Sequence, residues 1–124
     1  MTVHDPDKPA PAGEQADKIL GLLGLAHRAG RLALGASAVE SLVHKGTRPV
    51  VIIAQGIGRS QRRRYQTLRP VRGFIDGLVG REDLAQRMGR QELAVVAVAD
   101  NGIVSGLMKL DVVTTPPEDS AASR

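Results

Sequence analysis

Two unbroken apolar runs constrain this chain more than any other feature. They are Pro49-Val50-Val51-Ile52-Ile53-Ala54 and Leu93-Ala94-Val95-Val96-Ala97-Val98-Ala99. Both are short and rich in β-branched residues, so they read as strands. A strand with one face in water alternates apolar and polar side chains. A strand without alternation has to be covered on both faces, and such strands belong in the middle of a parallel sheet with helices packed above and below.

The segments around these runs supply the helices. Ile19, Leu22, Leu23 and Ala26 recur at helical spacing and predict a helix from about Asp17, which can cap its start, to Ala29, with Gly30 where a left-handed C-terminal residue is wanted. Arg31 to Leu34 is a short strand. Ala36, Val39, Leu42 and Val43 give one apolar face to a second helix, from about Ala36 to Lys45. Within it, Ser37-Ala38-Val39-Glu40 has the capping-box pattern. Between the two apolar runs lie an Arg-rich helix (about Gly58 to Leu68), a weaker strand (Val71 to Ile75) and a helix from about Arg81 to Met88. Ile103, Val104, Leu107 and Met108 mark a last helix. Helix and strand alternating through short turns predict an α/β fold, a three-layer α/β/α sandwich around a small mixed, partly parallel sheet of about four strands.

The 124 residues fit one domain. Residues 1–15, acidic and Pro-rich, and 114–124 read as disordered tails, leaving 16–113 as the folded domain. Tyr65 and Phe74 are the only aromatic residues, so packing falls to Leu, Val, Ile and Ala. The absence of Cys excludes disulfides and thiolate metal sites, and His4, His27 and His44 lack metal-ligand spacing. No metal, cofactor or catalytic residue is expected. No apolar run approaches the roughly 20 residues of a membrane span, and the N-terminus lacks the pattern of a secretory signal. The expected protein is a cytoplasmic monomer.

Charge distribution points to a partner. The net charge is +4, with a sequence pI of about 10.1. Residues 1–17 carry −3 and residues 114–124 carry −1, which leaves +8 on residues 18–113. A basic body between acidic ends suits a polyanion. From Gln55 to Ile75 there are six arginines (Arg59, Arg62, Arg63, Arg64, Arg69, Arg72) and no acid. Arg59, Arg62 and Arg63 share a helical face, an arrangement that suits phosphate contacts. With so few aromatics, a base-stacking RNA-recognition sheet is excluded.

Two motifs of other chemistry are set aside. Gly56-Ile57-Gly58-Arg59-Ser60-Gln61 follows a strand like a dinucleotide fingerprint, but Gln61 replaces its third glycine and no acid is placed for the ribose. Ser37 follows Gly35, yet Val39 stands where a nucleophile elbow needs its second glycine.

Leu22-Leu23-Gly24-Leu25-Ala26-His27-Arg28-Ala29-Gly30-Arg31-Leu32, then Gly35, then Lys45-Gly46 and Val50-Val51-Ile52-Ile53-Ala54, resemble the ribosomal kink-turn RNA-binding protein superfamily, and within it the bacterial YlxQ-like branch. The superfamily includes the archaeal kink-turn ribosomal protein and the eukaryotic "L-thirty-e" type. The resemblance covers about residues 18–110. It implies the same sandwich fold and non-enzymatic binding of ribosomal or other structured RNA, with ribosome- or translation-associated proteins as further partners.

The resemblance also implies three gripping elements. They are the start of the second helix (Gly35, Ala36, Ser37, Ser41), the loop after the second strand (Gln55, Gly56, Arg59) and the loop entering the late strand (Arg90, Gln91). Arg31, Arg62 and Arg63 complete the expected RNA contacts. Where the family carries Asn-Glu and then Lys to read tandem sheared G·A pairs, this chain has Ser37, Ala38 and Ser41. The alternative reading is a protein-interaction module on the same fold that has lost kink-turn specificity.

Overall fold

The computed structural model describes residues 12–116. Among them the order is α1 (Ala12–Arg28), β1 (Leu32–Leu34), α2 (Ala36–His44), β2 (Val50–Gln55), α3 (Arg59–Gln66), β3 (Gly73–Gly80), α4 (Arg81–Arg87), β4 (Val95–Val98) and α5 (Asn101–Lys109). The sheet order is β1-β4-β2-β3. The two apolar runs are thus the two inner strands, and every residue from Val50 to Ala54 and from Val95 to Val98 is buried.

Side chains on these strands alternate between two cores. Val50, Ile52, Ala54, Ile75, Val96 and Val98 pack on the side of α1, α4 and α5, with Ile19, Leu23, Leu84 and Leu107. Val51, Ile53, Phe74, Val95 and Ala97 pack on the side of α2 and α3, with Val39, Val43 and Tyr65. The protein is therefore a three-layer α/β/α sandwich with a mixed sheet. Burying an aliphatic side chain of this size contributes about 1.5–3 kcal/mol relative to leaving it in water.

The inner strands differ from expectation in direction. β2 and β3 are parallel, joined by the crossover helix α3, but β4 runs antiparallel to both β2 and β1. An unbroken apolar run reports cover on both faces. It carries no information on the direction of the neighbour, because helices can cover either kind of pair. β3 is longer than the expected Val71 to Ile75. Pairing with β2 draws Asp76-Gly77-Leu78-Val79-Gly80 into the sheet, and between Asp76 and Gly80 β3 takes four steps while β2 takes two. That irregularity disguises the strand in sequence.

Two helix starts also differ. α1 begins at Ala12, so Asp17 lies inside the helix, where it faces Arg87 of α4 at 3.7 Å. α2 is capped by Gly35 and not through Ser37: Val39 N donates to Gly35 O at 2.9 Å, and no side chain caps the helix. The expected capping box does not form, because its serine is already within the first turn and its glutamate is held elsewhere. The C-terminus of α1 is as expected. Gly30 adopts φ 72°, and the Gly30 and Arg31 amides donate to His27 O and Ala26 O, closing the helix with a reversal into β1.

Near the other end of the domain, Thr114 exchanges backbone hydrogen bonds with Phe74 on the outer edge of β3. The rest of the expected tails, 1–11 and 117–124, lies outside the described residues. No helix among the described residues is long and apolar enough to cross a membrane, and no group of three His, Asp or Glu side chains is placed to hold a metal ion.

Candidate nucleic-acid interface

Strand directions decide which loops meet. Leu34 lies opposite Val96, Ile53 opposite Val95, and Gln55 opposite Gly80. One end of the sheet therefore collects the end of β1, the end of β2, the end of β3 and the entry to β4. Three helices start there, each behind a glycine: α2 after Gly35, α3 after Gly58 and α4 after Gly80. None of the three has a side-chain cap. α2 and α3 also have no acid in the first turn, whereas α4 has Glu82 and Asp83. Helix starts of this kind present amide donors and a partial positive charge outward. At the opposite end α5 starts differently. The Asp100 side chain accepts from Ile103 N at 3.1 Å and closes the helix internally.

Gly35 is what brings the α2 start to this end. Its φ of 90° and ψ of 167° lie in a region that L side chains avoid, and its amide donates to Val95 O at 2.9 Å, pinning the β1–α2 corner to the entry of β4. Beside it lies a cleft of about 430 Å³ lined by Gly35, Ala36, Ile57, Gln61, Tyr65, Arg81 and Glu82, and by the residues from Arg90 to Val95. The three expected gripping elements meet here. Gly35, Ala36, Arg90 and Gln91 line the cleft itself. Gln55, Gly56 and Arg59 stand exposed in the segment leading from β2 into α3, and Ser37 is exposed in the first turn of α2. Ser41 lies more than one turn further along α2, on its exposed surface.

Arg90 is set by a backbone hydrogen bond to Ala85 O at 2.8 Å, where the chain leaves α4. The cleft also takes in Arg81, Gln61 and Tyr65, which the sequence does not mark as site residues. Arg81 looks like an ordinary helix-start residue. Tyr65 carries a signal only through its rarity, and its hydroxyl accepts from Gln61 Nε2 at 3.1 Å.

The Arg-rich helix is not the free basic face its spacing suggests. Arg62 is half-buried. It binds Asp76 on β3 and reaches Ala54 O at 3.5 Å, while Gln66 Nε2 donates to Asp76 Oδ2 at 2.7 Å. Arg64 lies across α2, with Nε and Nη2 at 2.9 and 2.7 Å from Glu40 Oε2. Arg69 donates to Gln66 O and Leu68 O and stacks 5.5 Å from the centre of the Phe74 ring. Arg59 and Arg63 remain exposed and, among the described residues, make no ion pair. Arg31 is misplaced for this site: β1 carries it to the opposite end of the sheet, where it faces Asp100 at 3.4 Å.

The outcome is a sharp division of charge. Residues 36–76, which form the α2–α3 layer and its strands, hold eight Lys and Arg against two acids, Glu40 and Asp76. Both acids are already engaged. Residues 12–34 and 77–116, mostly the α1–α4–α5 side, hold seven Lys and Arg against seven Asp and Glu, and of these Arg81, Glu82, Arg90 and Glu92 line the cleft.

No protein-family profile matches the sequence, nor does any functionally curated protein. Solved structures do. A protein of unknown function from Bacillus halodurans is 28% identical, with a TM-score of 0.65, over 75% of this chain and 95% of that one. The Giardia lamblia 15.5kD RNA binding protein superposes with a TM-score of 0.63 at 15% identity, over 88% of this chain and 97% of its own. The class is thereby defined as the compact α/β/α sandwich that both of these proteins share.

Proposed function

We propose that this chain is a non-enzymatic RNA-binding domain, a YlxQ-like member of the kink-turn protein superfamily, acting on ribosomal or other structured RNA. The observation that carries the reading is the charge division. The α2–α3 layer has a net +6 with its only two acids engaged internally, and at one end it presents two helix starts without acids. Excess positive charge repels itself and gives the fold nothing, so it suits a polyanionic partner. The likeness in fold to an RNA-binding protein from Giardia lamblia supports RNA as that polyanion.

In this reading Arg59, Arg63 and Arg90 bind phosphates. The exposed amides at the start of α2 and the Ser37 hydroxyl add hydrogen bonds to phosphate and sugar. Arg62, Arg64 and Arg69 hold the layer together. Ser37, Ala38 and Ser41 lack the reach for a base-edge readout of sheared G·A pairs, so affinity rests on backbone and shape.

Fluorescence anisotropy with a kink-turn hairpin, an unkinked duplex and a single strand, each at two salt concentrations, tests the proposal. Binding that weakens log-linearly with salt is the expected result. Absence of binding to all three RNAs at low salt overturns it.

A further inference from the structure

The basic layer has a second unpartnered group of cations, at the end of the sheet away from the cleft. Because β2 and β3 are parallel neighbours, the loops that enter them lie side by side. Val50 pairs with Gly73, and Arg72 N donates to Pro49 O at 2.9 Å. These loops bring together Lys45, Arg48 and Arg72, all exposed. Among the described residues none of the three side chains makes an ion pair or a hydrogen bond.

For Lys45 a position at the C-terminus of α2 is explanation enough, since a cation is favourable there. Arg48 and Arg72 have no such role. Arg48 moreover sits at φ 53°, a left-handed conformation that costs a non-glycine residue about 1 kcal/mol. Among the described residues this side chain has no partner, yet it stands where the backbone would favour glycine.

We infer that Lys45, Arg48 and Arg72 form a second phosphate-binding group, which receives a duplex arm of the same RNA held at the cleft end. The inference rests on the proposed RNA-binding function and names its partner more closely. Arg59 and Arg63 of the cleft end belong to the same layer as this group, and β2 runs from the one end to the other. Six residues at about 3.3 Å each put them about 20 Å apart. At roughly 3 Å of rise per base pair, a duplex arm needs about six or seven pairs to reach from one to the other. Both acids of the layer are occupied, Glu40 by Arg64 and Asp76 by Arg62 and Gln66, so among the described residues of that layer no free carboxylate competes with the RNA.

The test uses the full chain and three RNAs with a common structured core and duplex arms of about 3, 6 and 12 base pairs. Wild type, K45Q/R48Q/R72Q and R59Q/R63Q/R90Q are titrated with each at several salt concentrations, and thermal melts establish that both variants are folded. Wild-type affinity is expected to rise roughly tenfold or more between the shortest and longest arm. K45Q/R48Q/R72Q should bind the shortest RNA as wild type does but lose the rise. Its salt slope on the longest RNA should shrink by about two.

R59Q/R63Q/R90Q should lose affinity for all three RNAs. Wild-type affinity that does not depend on arm length overturns this inference and leaves the cleft-end reading intact. Retention of the rise by K45Q/R48Q/R72Q also overturns it, and points to an acidic protein surface as what the group fits. A wild type that binds none of the RNAs overturns the RNA-binding function itself and this inference with it.

Discussion

The two helical layers do the same structural work with opposite surface chemistry. Each buries one face of the sheet with aliphatic side chains, α1, α4 and α5 through Ile19, Leu23, Leu84 and Leu107, and α2 and α3 through Val39, Val43 and Tyr65. Outside, the first layer is balanced at seven charges of each sign, and the second carries eight cations against two acids. A sandwich needs apolar inner stripes and any soluble exterior, so the balanced layer shows what the fold alone demands. The excess on the other layer is surplus to folding, which is why it is read as an interface.

The strongest way to break this comparison is to reverse charge on each layer in turn. R59E/R63E should weaken RNA binding by about 30-fold or more, since it removes phosphate contacts and adds repulsion. K18E/K109E changes net charge equally on the other layer and should cost less than about fivefold if contacts rather than net charge dominate. Equal losses in an anisotropy titration would show that only the total charge matters.

A smaller effect should follow at the corner that positions the interface. Gly35→Ala has open space around its new Cβ but keeps a backbone that only glycine adopts readily. The expected cost is about 1–3 kcal/mol of stability, read as a lower Tm, with weaker RNA binding when the corner shifts. An unchanged Tm would mean the corner relaxes freely.

The arginines of α3 sharpen the comparison within one helix. Arg62→Ala leaves half-buried Asp76 with Gln66 as its remaining partner and should cost about 1–3 kcal/mol in chemical denaturation. Arg63→Ala should leave stability unchanged while weakening RNA binding. The reverse pattern would exchange their roles.

The smallest effect is expected from Glu40→Gln, which frees Arg64 from its ion pair. RNA binding should tighten about two- to threefold, as one more guanidinium becomes available. Weaker binding would mean that Glu40 positions the layer and does not merely neutralise it.

Much of the architecture was legible because it is encoded locally. The runs at 49–54 and 93–99 mark the inner strands, the spacing of Ile19, Leu22, Leu23 and Ala26 marks α1, and Gly30 marks its end. Each of these signals rests on residues within a turn or two of one another. The convergence of the α2 start, the segment after β2 and the entry to β4 followed from the resemblance, and the sheet topology supplies its geometry.

What the sequence by itself determined is the order of helices and strands and that both faces of the sheet are covered. Only the tertiary structure decided that β4 runs against β2, that Arg31 stands at the far end from Gly35, and that Arg62 and Arg64 are taken by Asp76 and Glu40 across 14 and 24 residues of chain. The physical reason is range. Helix and strand periodicity is set by neighbours a few residues apart, whereas strand direction and ion pairing depend on which distant segments the closed sheet brings within a few ångströms. A cluster of arginines in sequence therefore reveals how much positive charge a helix carries, and only the fold reveals how much of it is left for a partner.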